Sequence, residues 1–180
     1  SATDNVGITA YYASETSTTP ASNASGWDSV TSNATYSDNV SFSLASTGSA
    51  GTFSKTVYIW FKDAAGNVSD FASDAITLVI SDTTVPSSPT ININTGDSNT
   101  SNTVVSLALS ATDNVGITAY YASEASTTPA SSDSGWNSVT SSTSYSATVS
   151  FTLSSASSSG NHSRTVYVWF KDTAGNVSDS

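Results

Sequence analysis

Short segments in which apolar and polar residues alternate run along the whole chain and predict β-strands. Val40 to Leu44 (VSFSL) alternates with a period of two, and Thr56 to Lys62 (TVYIWFK) places Val57, Ile59 and Phe61 on one face. No segment shows the 3.6-residue period of an amphipathic helix, so the pattern predicts an all-β protein. Further strands, rich in β-branched and aromatic residues, are predicted at residues 8–13, 75–80, 90–94, 103–109, 117–122, 149–153 and 165–171.

The chain contains an internal repeat with an offset of 109 residues. The segment Ser1 to Glu15 (SATDNVGITAYYASE) recurs letter for letter at Ser110 to Glu124, and the alignment continues without a gap to Ser180. Of the 71 aligned positions, 51 are identical. A unit of this length matches one immunoglobulin-like sandwich and is much longer than a solenoid or propeller repeat. The sequence therefore predicts tandem Ig-like Greek-key β-sandwich domains.

The boundary between the two predicted domains lies in a segment that contains two prolines. The linker at about residues 81–90 reads SDTTVPSSPT, in which Pro86 and Pro89 restrict the backbone. Repeat 1 then covers residues 1–81 and lacks its first two strands, while repeat 2 covers residues 82–180 and lacks its last strand. We expect the chain to be one part of a longer array of repeats.

Composition excludes several classes of function. The chain has 4 Lys and Arg against 14 Asp and Glu, for a net charge of −10, and contains no cysteine. This charge disfavours nucleic acid and anionic membrane surfaces, because both require basic side chains. The lack of cysteine excludes disulfides and thiolate metal sites, and no apolar run approaches the ~20 residues of a membrane-spanning helix.

The motifs ATDNVG, TVY.WFKD.AGNVS and SDTT.PS.P give the chain a resemblance to the bacterial Ig-like, fibronectin type III-like repeats of large secreted or cell-surface proteins. This resemblance implies an extracellular or cell-surface location. It also implies a structural role as a stalk, fibre or spacer, in which neighbouring repeats or copies are the partners. An adhesin or carbohydrate-binding module is the alternative, with surface glycans as ligands.

Asp and Asn residues in the predicted turns favour calcium as a ligand, although the predicted fold requires no cofactor. Calcium takes several oxygen ligands, and the loop after Leu109 and the turn before Val177 are expected at the same end of an Ig-like domain as the incoming linker. The resemblance also implies calcium at domain junctions. In the competing interpretation these side chains only cap their own turns. The candidate ligands are Asp82, Asp113, Asn114, Asp172 and Asn176 in repeat 2, and Asp4, Asn5, Asp63 and Asn67 in repeat 1.

Aromatic residues form a second candidate site. If Val57, Ile59 and Phe61 face the core, the alternate residues of that strand face outward beside a tyrosine of the neighbouring strand. Such a surface would stack on sugars or pack against another chain. Alternatively, the segment from Ser14 to Trp27 folds over this face and buries it. The predicted aromatic surface consists of Tyr11, Tyr58 and Trp60 in repeat 1, and of Tyr120, Tyr167 and Trp169 in repeat 2.

The hypothesis that the protein is an enzyme has little support in the sequence, which predicts no catalytic residues. The single histidine, His162, is replaced by Phe53 in repeat 1, and Glu15 and Glu124 fit solvated strand ends better than a pair of catalytic carboxylates. Because each repeat lacks strands, a further hypothesis is that adjacent copies supply them edge to edge.

Overall fold

The computed structural model describes all residues from Ser1 to Ser180 and confirms the all-β prediction. The chain divides into two compact units, unit 1 (Ser1–Ile80) and unit 2 (Ser81–Ser180). Each unit contains one four-stranded antiparallel sheet, and a 3-10 turn at Asn94–Gly96 is the sole helical element. No helix in the chain has the length and apolar character needed to span a bilayer.

Unit 1 consists of four strands in the order β2-β1-β3-β4. Their pairing places Tyr12 opposite Trp60 and Tyr11 opposite Phe61 on adjacent strands. The strands are β1 (Ala2–Ser14), β2 (Asp28–Tyr36), β3 (Gly51–Asp63) and β4 (Ala72–Ile80).

Unit 2 is built around one long strand that changes partners along its length. Residues 104–112 of this strand, β6, pair with β5 on one side and β7 on the other, whereas residues 117–123 pair with β8 and the start of β7. The register shifts between Thr112 and Ile117. The strands are β5 (Ser87–Ile93), β6 (Val104–Ser123), β7 (Asn137–Thr152) and β8 (Tyr167–Asp172).

The core of unit 2 lies between the two halves of β6. Leu107, from the first half, belongs to the same apolar cluster as Ile117 and Phe170, and all three are fully buried. Since β8 pairs only with the second half of β6, this cluster forms where the first half packs over β8. Burial of these apolar side chains is the main favourable contribution to the stability of unit 2.

The predicted strand at Val40 to Leu44 is absent. In unit 2 the aligned residues 149–152 form the end of β7 and pair with the first half of β6, for example Phe151 with Val105. Unit 1 has no counterpart of that half-strand, so its residues 37–50 lie outside the sheet. An alternating sequence becomes a strand only when a neighbouring backbone is there to satisfy its hydrogen-bonding groups.

Candidate metal centre

Three carboxylates from distant parts of the sequence meet at one end of unit 2. Asp82 precedes β5, Asp113 lies in the register shift of β6, and Asp172 ends β8. One carboxylate oxygen of each lies within 4.8 Å of the others. Asp113 and Asp172 are buried, with 8% and 2% of their surface exposed. The structure therefore brings together the acidic residues that the sequence predicted for repeat 2.

Asp113 shapes the turn inside β6 with one of its two oxygens. Its Oδ2 accepts hydrogen bonds from the backbone amides of Val115 (2.9 Å) and Gly116 (2.7 Å). Gly116 has φ of 150°, a region that favours glycine, and an added Cβ would collide with Ser141. The other oxygen, Oδ1, is buried and has no hydrogen-bond partner. This second oxygen is free to bind a ligand in the cluster.

Asp172 and Asn176 form the turn that closes β8. Asp172 Oδ1 accepts from the backbone amide of Asn176 (2.8 Å), and Oδ2 accepts from the Asn176 Nδ2 (2.7 Å). The Asn176 Nδ2 also lies 3.3 Å from the backbone oxygens of Asp82 and Thr84. Asn176 thus links the turn to the segment that leads into β5.

Asp82 completes the cluster from that leading segment. Its Oδ1 accepts from Asn114 Nδ2 and from the backbone amide of Thr84, each at 3.1 Å. The Asn114 hydrogen bond is the main cause that lowers the pKa of Asp82 below its usual value, so the group is ionised at neutral pH. Asp82 Oδ2 is buried without a partner, like the Oδ1 of Asp113.

No basic side chain balances these three acids. The ion pairs of the chain join Lys55 to Glu15 and Arg164 to Glu124, and neither includes a member of the cluster. Buried like charges at this separation repel one another strongly, and buried carboxylate oxygens without partners add a desolvation cost. A bound cation would remove both costs. The donor set is all oxygen, which suits Ca²⁺.

Unit 1 reproduces two of the three acidic positions. Asp4 Oδ2 accepts from the amides of Val6 (2.8 Å) and Gly7 (2.7 Å), and Asp63 accepts from the backbone and side chain of Asn67 (2.8 and 2.6 Å). The Asn67 side chain is the main cause that lowers the pKa of Asp63. Asn5 is exposed. Unit 1 has no counterpart of Asp82, so only the cluster in unit 2 contains three acids.

The predicted aromatic surface is not exposed. Trp60 and Trp169 are buried, with 0% and 1% of their surface exposed. Trp27 packs edge-on against Tyr12 (5.6 Å between ring centroids), which itself packs edge-on against Trp60 (6.1 Å). The alternative prediction, a covering segment that includes Trp27, matches this arrangement. Unit 2 repeats these contacts with Tyr121, Trp136 and Trp169.

Two tyrosines of that predicted surface lie on the other face of the sheet. Tyr11 pairs with Phe61 and stacks on Tyr36 at 6.1 Å, and Tyr120 pairs with Phe170. The prediction placed Tyr11 beside Trp60, but the strand register puts Tyr12 there; a shift of one residue moves a side chain to the opposite face. Tyr58 and Tyr167 are half-buried and contact the buried tryptophans. The six residues therefore form no common surface.

Glu15 and Glu124 hold a loop against the end of a strand in each unit. Glu124 accepts hydrogen bonds from the backbone amide (2.7 Å) and hydroxyl of Ser154, and it faces Arg164 at 3.8 Å. Glu15 binds the Ala45 amide (2.8 Å) and Lys55 (3.1 Å) in the same way. Hydrogen bonds to Ser154 and to Ala45, respectively, are the main causes that lower the two pKa values.

We expect Glu124→Gln to destabilise unit 2 near pH 6, and we expect this effect to shrink as the pH falls below the usual pKa of a glutamate. A lowered pKa contributes stability above the unfolded value of about 4.3, and this contribution is lost as pH falls through the folded pKa. Urea unfolding of both proteins across this pH range measures the difference. A difference that stays constant with pH would contradict the role of the charge.

No family model, curated protein or solved structure matches this chain.

Proposed function

We propose that the chain is an extracellular structural repeat module, built from tandem Ig-like Greek-key sandwiches and stabilised by calcium. The observation that carries the proposal is the cluster of Asp82, Asp113 and Asp172, in which two buried oxygens have no hydrogen-bond partner. A cation there would join the segment that leads into β5 to the turn of β6 and the end of β8. The bound ion would hold that segment in place.

The Ig-like sandwich is supported by the way β6 exchanges partners. Its first half pairs with β5 and β7, its second half pairs with β8 and the start of β7, and side chains from both halves meet in one core. Two layers joined in this way are typical of a β-sandwich. The near-identical repeat supports a tandem arrangement, because each unit carries the same strand sequences.

Calcium suits an extracellular module because such modules bind it with dissociation constants of about 10⁻⁴–10⁻³ M. Neighbouring repeats are the partners that a stalk or fibre requires. The alternative role, as an adhesin or carbohydrate-binding module, loses the aromatic residues proposed for it, since both central tryptophans are buried. Neither role uses a catalytic residue.

Calcium titration of the 180-residue chain tests the proposal. We expect the melting temperature to rise with Ca²⁺ and to return when a chelator is added, with stabilisation of about 1.4 kcal/mol when the free ion is tenfold above the dissociation constant. Slower amide exchange at residues 82–85, 113–116 and 172–176 would locate the ion. An unchanged melting temperature and unchanged exchange at millimolar Ca²⁺ would refute the cation site. Specific retention on a glycan array would instead favour the adhesin role.

A further inference from the structure

Residues 144–152 of β7 form one edge of the layer that contains β5 and the first half of β6. They pair with residues 104–112 of β6 in nine consecutive pairs without a register shift, from Ser144 opposite Thr112 to Thr152 opposite Val104. No strand pairs with them on their other side, because β7 pairs only with β6. No backbone hydrogen bond joins them to a loop. The main-chain groups on the outer side of this regular segment can therefore bind another strand.

This edge has none of the features that usually prevent a free strand from pairing. Such features are charged side chains, proline, bulges and a short strand. Residues 144–152 read SYSATVSFT, with no charged residue, no proline and no glycine. None of these residues is buried, and every second side chain is exposed. The segment is thus an accessible edge of nine residues.

The opposite edge of the same layer, β5, does have such features. Pro89 lies inside this strand of seven residues and has no backbone N–H to donate. The pairing of β5 with β6 shifts register between Ser87 and Thr90, and Ser88 between them has φ of 53°. These irregularities disfavour the addition of a strand beside β5. The two edges of the layer are therefore not equivalent.

The layer also lacks charge, although the chain as a whole is strongly acidic. The chain has 14 acidic and 4 basic residues and a net charge of −10, so two copies repel each other at most orientations. Its three strand segments in this layer, residues 87–93, 104–112 and 144–152, contain no charged residue. Two copies therefore meet the least electrostatic repulsion when these layers approach each other.

The segment 144–152 is nearly symmetric about its central residue, Thr148. An apolar residue lies one position away on each side, an aromatic residue three positions away, and serine or threonine two and four positions away. Antiparallel pairing of two copies about Thr148 would place Tyr145 opposite Phe151 and Ala147 opposite Val149, all on the half-buried face. Aromatic and apolar cross-strand pairs of this kind stabilise a sheet, and hydroxyl pairs lie on the other face.

We propose that unit 2 associates with unit 2 of a second copy of this chain through residues 144–152, paired antiparallel about a two-fold axis at Thr148. The two layers then form one continuous sheet. Main-chain hydrogen bonds hold the strands together, and the symmetric side-chain pattern sets the register. A two-fold contact uses the same surface on both copies, so the product is a dimer. This contact goes beyond the structural role proposed above and does not require the cation.

Sedimentation velocity of the 180-residue chain in chelator tests the proposal. At about 0.15 M salt, where repulsion beyond about 8 Å is largely screened, we expect a concentration-dependent equilibrium of monomer and dimer. Amide exchange should slow in concentrated samples at alternate residues of 144–152, whose amides face outward. A chain that stays monomeric up to about 1 mM would overturn the proposal. Because no free metal is present, neither result bears on the calcium site.

Two substitutions at the exposed Thr148 test the two-fold register. Thr148→Lys and Thr148→Asp each place like charges against one another at the axis, so each is expected to weaken dimerisation by about tenfold or more. An equimolar mixture of the two variants should restore association, because a lysine then meets an aspartate. Restored association would also show that both variants fold.

Asn92→Lys is the matched control. Asn92 is exposed on β5 and lies opposite Ala108, which in turn lies opposite Thr148, so the control changes the same row of the layer at its other edge. It should leave dimerisation unchanged. A dimer that is insensitive to Thr148→Lys, or that Asn92→Lys weakens equally, would overturn the proposal. So would a mixture of the two Thr148 variants that associates no better than either variant alone.

Discussion

Replacing Phe170 with alanine is expected to lower the free energy of unfolding of unit 2 by about 3–5 kcal/mol. Phe170 is fully buried and belongs to the cluster that joins β8 to both halves of β6. Its removal would leave a cavity between rigid sheet elements, which cannot collapse to fill it. Amide exchange of the β6 and β8 backbone measures the loss of stability in unit 2 alone, because the unfolding of unit 1 does not contribute to it.

Phe61→Ala is the matched control for this prediction. Phe61 occupies the same sequence, FKD.AGNVS, but it is 8% exposed and no counterpart of Leu107 faces it. We expect a smaller loss, measured by exchange of the β3 backbone. Equal losses at the two positions would contradict the conclusion that the first half of β6 determines how tightly Phe170 is packed.

Asp113→Asn is expected to abolish most of the calcium response of the chain and to stabilise the protein in chelator. Asparagine keeps one oxygen to accept from Val115 and Gly116, so the turn is preserved. The substitution removes one of three close carboxylate charges and places an amide donor beside the other two. Loss of a calcium ligand should weaken binding by about 10–100-fold or more, since the loss of an outer partner alone commonly does so.

Asp4→Asn is the control, because it changes the same turn in unit 1, where no counterpart of Asp82 is present. It should leave the shift in melting temperature between Ca²⁺ and chelator unchanged. Isothermal titration calorimetry and thermal melts of the three proteins make the comparison. If Asp113→Asn responds to Ca²⁺ as the original chain does, the three-carboxylate site is wrong.

The strands that the sequence predicted well are those with alternating or β-branched apolar residues. The predicted strand at Thr103 to Leu109 overlaps the first part of β6, which begins at Val104, and Thr56 to Lys62 lies within β3. The strand β2, with the sequence DSVTSNATY, was missed because it contains a single strongly apolar position inside its length, Val30. This strand forms because the backbone of β1 pairs with it. The sequence of β2 alone has no alternating pattern that would predict this pairing.

The candidate metal site was also predictable only in part from the sequence. Asp113 and Asn176 could be named from the sequence because turns and junctions concentrate Asp and Asn, and the predicted fold placed these turns at one end. The sequence could not show that Asp113 Oδ1 and Asp82 Oδ2 lack hydrogen-bond partners. That depends on which oxygen each turn uses, which only the assembled geometry determines.

The amino-acid sequence by itself determined the all-β class, the repeat of 109 residues and the set of acids at the turns, because alternation, identity and turn chemistry are local properties. Tertiary structure decided which of two near-identical sequences forms a strand and which aromatic residues are buried. Val40 to Leu44 stays outside the sheet while the aligned residues end β7. The reason is physical: a strand and a buried face both require a partner, and the partner is supplied from elsewhere in the fold.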